Sequence, residues 1–213
     1  MNRKISSFLG AMVLTCIPAV GRAQDFFADV VYVAPGKAAA ATAAATVSLH
    51  EPSKLYVSNH KMRLETRGLT GTILLVDSDA NATVALFPGQ KAYQPLSSAP
   101  SEYFHVDDPE NACEDWQKAS ERKIACEKVG HQTVDGHDSV KYRNKAATLA
   151  APLSAVWIDP TLKFVVKWED ATTGAELRNI TKQEKLSTAL FEVPPGFGIL
   201  QPKKKPKSGK GAK

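Results

Sequence analysis

Short segments in which apolar and polar residues alternate constrain this chain more than any other feature of its sequence. Between residues 162 and 169, the even positions are apolar and the odd positions are mostly charged, and 61–67 repeats this pattern. A period of two predicts β-strands that bury one face. Since short turn-forming stretches separate successive segments, we expect antiparallel pairing in a mainly β (α+β) domain. The same reasoning predicts further strands at 26–33, 54–57, 72–77, 83–87, 91–94, 153–158 and 175–181.

A hairpin around Asp135-Gly136 can be predicted together with its register. Asp-Gly favours a two-residue type I′ turn, which would pair 128–134 with 137–143. This register places Val129 opposite Tyr142, on the face where apolar pairs predict burial.

The same register bears on a group of histidines and aspartates near the turn. His131 and His137 lie on opposite faces of the predicted hairpin, as period-two geometry requires. Metal ligands must converge on one point, so Asp135 and Asp138 do not complete a metal site with both histidines. The sequence predicts no metal-ligating residues.

Two segments carry helical signals of different strength. A helix is predicted from Pro109 to Arg122, capped by Asp107 or Asp108, with proline at its first position. The alanine-rich segment 38–45 is either a short helix or a low-complexity insertion, since propensity does not decide between them.

The first 23 residues are typical of a secretory signal peptide. A charged start at Arg3-Lys4 precedes an apolar run, and small residues flank a cleavage point before Gln24. We therefore expect export to the periplasm. Lipid anchoring at Cys16 is not expected, because threonine rather than a small glycine or alanine precedes it.

Cleavage would leave two cysteines, Cys113 and Cys126. In an oxidising compartment an even pair predicts one disulfide. Closing a loop of this length would stabilise the fold by about 3 kcal/mol in the chain-entropy model.

The net charge of +5 comes from the two ends of the chain. Six lysines follow Pro202, whereas residues 24–201 carry more acids than bases, which argues against nucleic-acid binding by the domain. We expect one domain at 24–201 and a disordered tail at 202–213, which is either only solvated or bound to an anionic membrane surface.

No arrangement of residues predicts catalysis or a cofactor. The chain lacks the nucleophile elbow, the zinc-protease motif, the P-loop and the dinucleotide fingerprint. Asp77, Asp79 and Asn81 resemble the start of a calcium loop but lack its glycine and final glutamate, so a polar hairpin turn is the better interpretation. We expect a protein that is not an enzyme.

Several segments in order resemble exported bacterial proteins related to the LolA/LolB lipoprotein-carrier superfamily. The resemblance covers most of the mature chain and is carried by 27–31, 55–65, 86–93, 126–136, 156–159 and 190–194. It implies a curved antiparallel sheet, an unclosed barrel, wrapped around one or a few helices over an apolar cavity. Members of that superfamily carry lipids or lipoproteins or sense envelope stress, and this chain is more similar to their uncharacterised relatives than to the carriers.

Pattern and resemblance together indicate an apolar space over the sheet, because one short helix would leave a wide one-faced sheet uncovered. Either another segment such as 38–45 fills this space, or a ligand does. That ligand would be a lipid or the acyl chains of a lipoprotein. The alternative is an envelope stress sensor or assembly factor that binds another protein through its sheet edge or basic tail, and a hydrolase is only a residual third class. The candidate cavity residues are Met62, Leu64, Leu86, Val129, Tyr142, Phe164, Val166 and Trp168.

Overall fold

A computed structural model describes residues 25–33, 52–67, 71–97, 104–114, 125–144, 155–169 and 174–200. The predicted signal peptide, the alanine-rich segment and the lysine tail lie outside these residues. Every predicted strand is present, with bounds that agree within two residues. The strands are β1 (Phe26–Val33), β2 (Ser53–Ser58), β3 (Lys61–Glu65), β4 (Ile73–Asp77), β5 (Ala82–Phe87), β6 (Ala92–Leu96), β7 (Cys126–Val134), β8 (His137–Asn144), β9 (Ala155–Asp159), β10 (Phe164–Glu169), β11 (Gly174–Lys182) and β12 (Gly198–Ile199).

These strands form one 12-stranded sheet in the order β12-β6-β5-β4-β3-β2-β1-β11-β10-β9-β8-β7. All neighbours pair antiparallel except β12, which runs parallel to β6. The edge strands β12 and β7 do not pair with each other, so the sheet is open. The described part of the chain contains almost no helix, and the architecture is consistent with the predicted unclosed barrel.

Cross-strand register assigns the side chains of β1–β6 to two faces. Phe26, Val57, Met62 and Val76 are successive partners across β1–β4, and we call the face that they share the Met62 face. Glu65, Ile73, Leu86 and Tyr93 are successive partners across β3–β6 on the opposite side, here called the Leu86 face. Each strand therefore contributes alternate residues to two different environments.

The predicted hairpin register is confirmed near its turn and shifts farther away. Val134 pairs with His137 and Gly130 with Lys141, as expected. Between Lys128 and Gly130 a β-bulge adds one residue, so Lys128, not Val129, lies opposite Tyr142. Gly130 has φ 136°, a conformation that glycine adopts without the steric cost that a side chain would incur.

The predicted helix begins later than expected. Helical residues start at Ala112, because the Asp108 side chain and carbonyl accept bonds from the Glu110 and Asn111 amides and hold a turn there. The helix continues to Glu114 within the described residues, and the remainder of the predicted span lies outside them. The buried Tyr142 hydroxyl accepts from the Ala112 amide at 3.3 Å and donates to the Pro109 carbonyl at 2.9 Å.

The predicted disulfide is present. Cys113 and Cys126 are bonded, with their Cα atoms 5.5 Å apart. The bond joins the start of the helix to the first residue of the edge strand β7. It therefore fixes an element that has one neighbour, β8, among the described strands.

The C-terminal segment, here called the C-terminal arm, packs on the Leu86 face. It contains a 3-10 helix, Thr188–Phe191, before it extends to β12. Arg63, whose side chain lies on the Leu86 face, donates from Nη1 to the Leu190 carbonyl at 2.8 Å. The arm thus covers the side of the sheet that faces away from the Met62 face.

Among the described residues, no helix has the length and apolar character required to cross a membrane.

Candidate functional site

Five of the eight candidate cavity residues come together in one cluster. Met62, Phe164 and Val166 are buried in the larger of two apolar clusters, and Leu64 and Trp168 pack against it while partly exposed. Tyr142 belongs to the second cluster, which Trp168 also contacts. Three of the candidate residues are thus packed in the main core, and Trp168 contacts both clusters.

The structure places the other two candidates elsewhere. Leu86 is fully buried, but its partner on β4 is Ile73, so it lies on the Leu86 face, which the C-terminal arm covers. Val129 is 47% exposed because the bulge removes it from the register opposite Tyr142. Neither residue shares a surface with Met62.

A small pocket opens beside the larger cluster. Val57, Met62, Phe104 and Phe164 form its apolar lining, and Asn59, His60, Lys61, Ser78 and His105 complete it. The Phe164 ring contacts Phe26 edge-on at 5.4 Å and stacks on Phe104 at 5.8 Å between ring centroids. The pocket is open to solvent, and its cavity volume is about 10 Å³, room for about one water molecule and far below the range for drug-sized ligands.

Two histidines and two aspartates lie at this pocket. The rings of His60 and His105 are 4.9 Å apart between centroids. His60 Nδ1 lies 2.6 Å from Asp79 Oδ1, and His105 Nε2 lies 3.3 Å from Asp107 Oδ1. One potential ligand atom from each of His60, His105 and Asp107 falls within 4.8 Å of the other two.

Hydrogen bonds between separate elements bring these side chains together. His60 lies in the β2–β3 turn, and its carbonyl accepts from the Ser78 amide of the β4–β5 turn at 3.0 Å. His105 belongs to a short segment that pairs with the start of β10. There the Val106 amide donates to the Lys163 carbonyl at 2.9 Å and the Val165 amide donates to the Phe104 carbonyl at 2.7 Å.

The surroundings favour the neutral form of His105. Burial lowers the pKa of its imidazole, and the neighbouring His60 lowers it further, whereas Asp107 acts in the opposite direction. Its Nδ1 atom is buried and has no hydrogen-bond partner among the described residues. A neutral imidazole offers a lone pair, which is what a metal ligand requires.

Sequence reasoning missed this group entirely. His60 and His105 are far apart in the chain and belong to no spacing motif, and the histidines that attracted attention were those of the 135–136 hairpin. In the structure that hairpin separates them as predicted, with His131 bound to Asp138 and His137 bound to Asp159. Only the tertiary pairing of Phe104–Val106 with β10 brings His105 to His60.

No family model and no curated protein matches the sequence. Solved structures do match, and those described here are 9–14% identical to this chain. PNGF-II is 12% identical over 83% of this chain and 30% of its own, with a TM-score of 0.51. An uncharacterised conserved protein from Thermus thermophilus is 9% identical over 84% of this chain and 90% of its own, with a TM-score of 0.46.

MucB in complex with MucA(peri) also matches, with 14% identity over 81% of this chain and 55% of its own, and a TM-score of 0.37. The chain thus spans about a third of PNGF-II and about half of MucB. At such identities the likeness to PNGF-II shows a shared fold and nothing about activity. The LolA/LolB relationship stays a prediction.

Proposed function

We propose that this is an exported, non-enzymatic binding protein of the cell envelope that holds a lipid or the acyl chains of a lipoprotein on the Met62 face. The observation that carries the proposal is apolar surface left accessible on this face. Leu64 and Leu74, which are cross-strand partners, are only partly buried, as are Phe104, Trp168 and Ile180 around the same cluster.

The pocket beside His60 limits how such a ligand could bind. Its cavity volume of about 10 Å³ is too small to enclose a lipid or even one acyl chain. A chain would therefore lie along Leu64 and Leu74 and leave the pocket to a smaller group. Covering these side chains would remove apolar surface from water, at about 25 cal/mol per Å².

Export is supported by the disulfide. Disulfides persist in oxidising compartments such as the bacterial periplasm and are rare in the cytosol. The Cys113–Cys126 bond thus agrees with the signal peptide read from the first 23 residues. The non-enzymatic part of the proposal rests on the sequence, which carries none of the common catalytic motifs.

Native mass spectrometry of protein purified from the periplasm without detergent tests the proposal. We expect bound mass in the range of a fatty acid or phospholipid, and uptake of a fluorescent fatty-acid probe. Bare protein together with no uptake of the probe would refute lipid binding.

A matched pair of variants locates the site. Leu74→Gln and Ile73→Gln change adjacent, partly buried residues of β4 whose side chains lie on opposite faces. Losing about 40 Å² of apolar contact at Leu74 corresponds to about 1 kcal/mol, or about fivefold weaker probe binding. Ile73→Gln should bind like the unmodified protein, and equal effects of the two changes would exclude the Met62 face.

A second candidate function, binding of another protein, is favoured by the exposed edge of the sheet. Strand β7 pairs only with β8 among the described strands, and most of its side chains are exposed. Such an edge can accept a strand from a partner. A photo-crosslinker at Val129, on this edge, should then capture a partner that the same group at Tyr32, on the interior strand β1, does not. Deleting residues 202–213 tests whether the lysine tail contributes to binding of the partner protein.

A further inference from the structure

We propose that His60, His105 and Asp107 bind Zn²⁺ or a chemically similar divalent transition-metal ion. The three residues come from the β2–β3 turn and from the segment that pairs with β10, and they converge at the mouth of the pocket described above. This site is independent of the proposed lipid-binding face in its chemistry and in its test.

The donor set suits such an ion. Two imidazoles and one carboxylate are common Zn²⁺ ligands, and three protein ligands leave a fourth position for water or an anionic group. With metal–ligand bonds of about 2.0–2.2 Å, tetrahedral donors lie about 3.3–3.6 Å apart. The present donors are within 4.8 Å, so binding requires movements of about 1 Å.

Two of the three side chains, His60 and Asp107, are exposed enough to adjust their positions, whereas His105 is held in place. The side chains of His60 and Asp107 are 44% and 86% exposed. His105 is 17% exposed and is fixed by the backbone pairing of its segment with β10. A metal would thus find one positioned imidazole and two adjustable ligands.

Asp79 provides the outer support that metal-bound histidines usually have. Its Oδ1 atom lies 2.6 Å from His60 Nδ1, so the Nδ1 proton can point to the carboxylate while Nε2 keeps its lone pair for a metal. Carboxylate–histidine–metal arrangements fix the tautomer and ring orientation. The carboxylates of Asp79 and Asp107 also offset the charge of a divalent cation.

Another histidine among acidic groups supplies a matched control. His131 lies 3.1 Å from Asp138 and 3.7 Å from Glu110, and its side chain is 49% exposed. This group contains a single histidine and does not meet the geometric condition that His60, His105 and Asp107 satisfy among the described residues. The His131 group therefore offers the same kinds of ligand atoms, but these atoms do not converge on one point.

The test is calorimetric titration of Zn²⁺ into tag-free, metal-free protein, together with the visible spectrum of the Co²⁺-loaded form. We expect one ion per chain and the intense Co²⁺ bands of four-coordinate geometry. Asp79→Asn should weaken Zn²⁺ binding by about 10–100-fold, the range measured for supporting residues in other sites. His60→Gln removes a ligand and should weaken binding at least as much. His131→Gln should leave the affinity unchanged.

Each result of these titrations either supports or overturns the assignment of the metal site. Zn²⁺ binding that His60→Gln leaves unchanged, or that His131→Gln abolishes, would overturn the assignment, as would the absence of any binding by the unmodified protein. His105→Gln is the stricter variant, but His105 is mostly buried and the change could disturb folding. His60→Gln therefore decides, provided that its melting temperature in chelator equals that of the unmodified protein.

Discussion

Removing the Cys113–Cys126 disulfide should destabilise the protein by a calculable amount. The bonded residues are 13 positions apart, and closing a loop of that length removes unfolded-state entropy worth about 3 kcal/mol at 25 °C. For a chain of this size, 1 kcal/mol corresponds to about 2–4 °C. The Cys113→Ser/Cys126→Ser double variant should therefore melt about 6–12 °C lower than the oxidised protein.

Removing the disulfide should also have a local effect on the edge strand β7. The bond joins the helix start to β7, which has a single neighbouring strand, whereas β2 lies inside the sheet between β1 and β3. Without the bond, amides of β7 should exchange with deuterium faster, and those of β2 should change only through the lower global stability. Hydrogen exchange followed by mass spectrometry distinguishes the two strands.

Reduced unmodified protein serves as the control, since it should melt at the temperature of the double variant. A melting temperature that neither reduction nor substitution lowers would contradict the loop-entropy reasoning. Uniform acceleration of exchange in β2 and β7 would contradict the proposed local role.

Three further changes test contacts elsewhere in the fold. Asp159→Ala should lower the free energy of unfolding in urea by about 3 kcal/mol, because the buried carboxylate accepts hydrogen bonds from the Thr161 and Leu162 amides. Asp159→Asn keeps an acceptor and should lower it less. Tyr142→Phe should cost about 1–2 kcal/mol in the same assay, since it removes the hydroxyl that bonds the turn before the helix. Partial burial raises the pKa of Asp77, but hydrogen bonds from Lys61 and the Ala80 amide outweigh it and hold that pKa below the usual value. This stabilisation is complete above the unfolded pKa of about 3.9 and is lost as pH falls through the lower folded value, so Asp77→Asn should flatten acid unfolding below about pH 5.

Local sequence signals predicted the strands well. Alternation predicted β3 and β10 to within two residues, and Asp135-Gly136 predicted the turn between β7 and β8. Both depend on neighbours within a few residues, since side-chain direction alternates along a strand and an Asp-Gly pair readily adopts the positive φ angles of a tight turn. The helix start was misplaced because Asp108 caps a turn instead of the helix itself.

Assignments that depend on where a strand lies in the sheet were less successful. Leu86 has the same apolar character as Leu64, yet register puts it on the opposite face, where the C-terminal arm bonds to Arg63. Val129 was lost from the predicted face through a bulge of one residue at Gly130. A single added residue in a strand reverses the face on which each following side chain lies. The local sequence pattern does not predict such a bulge.

The sequence by itself determined the mainly β class of the fold, the positions of most strands along the chain, the hairpin register near its turn and the cysteine pair, because each follows from short-range alternation, turn chemistry or the count of cysteines. The tertiary structure decided which of two buried faces each apolar side chain occupies and brought His60 to His105. Those two outcomes depend on contacts between segments far apart in the chain. Such contacts are selected by packing of the complete sheet, for which a local pattern contains no information.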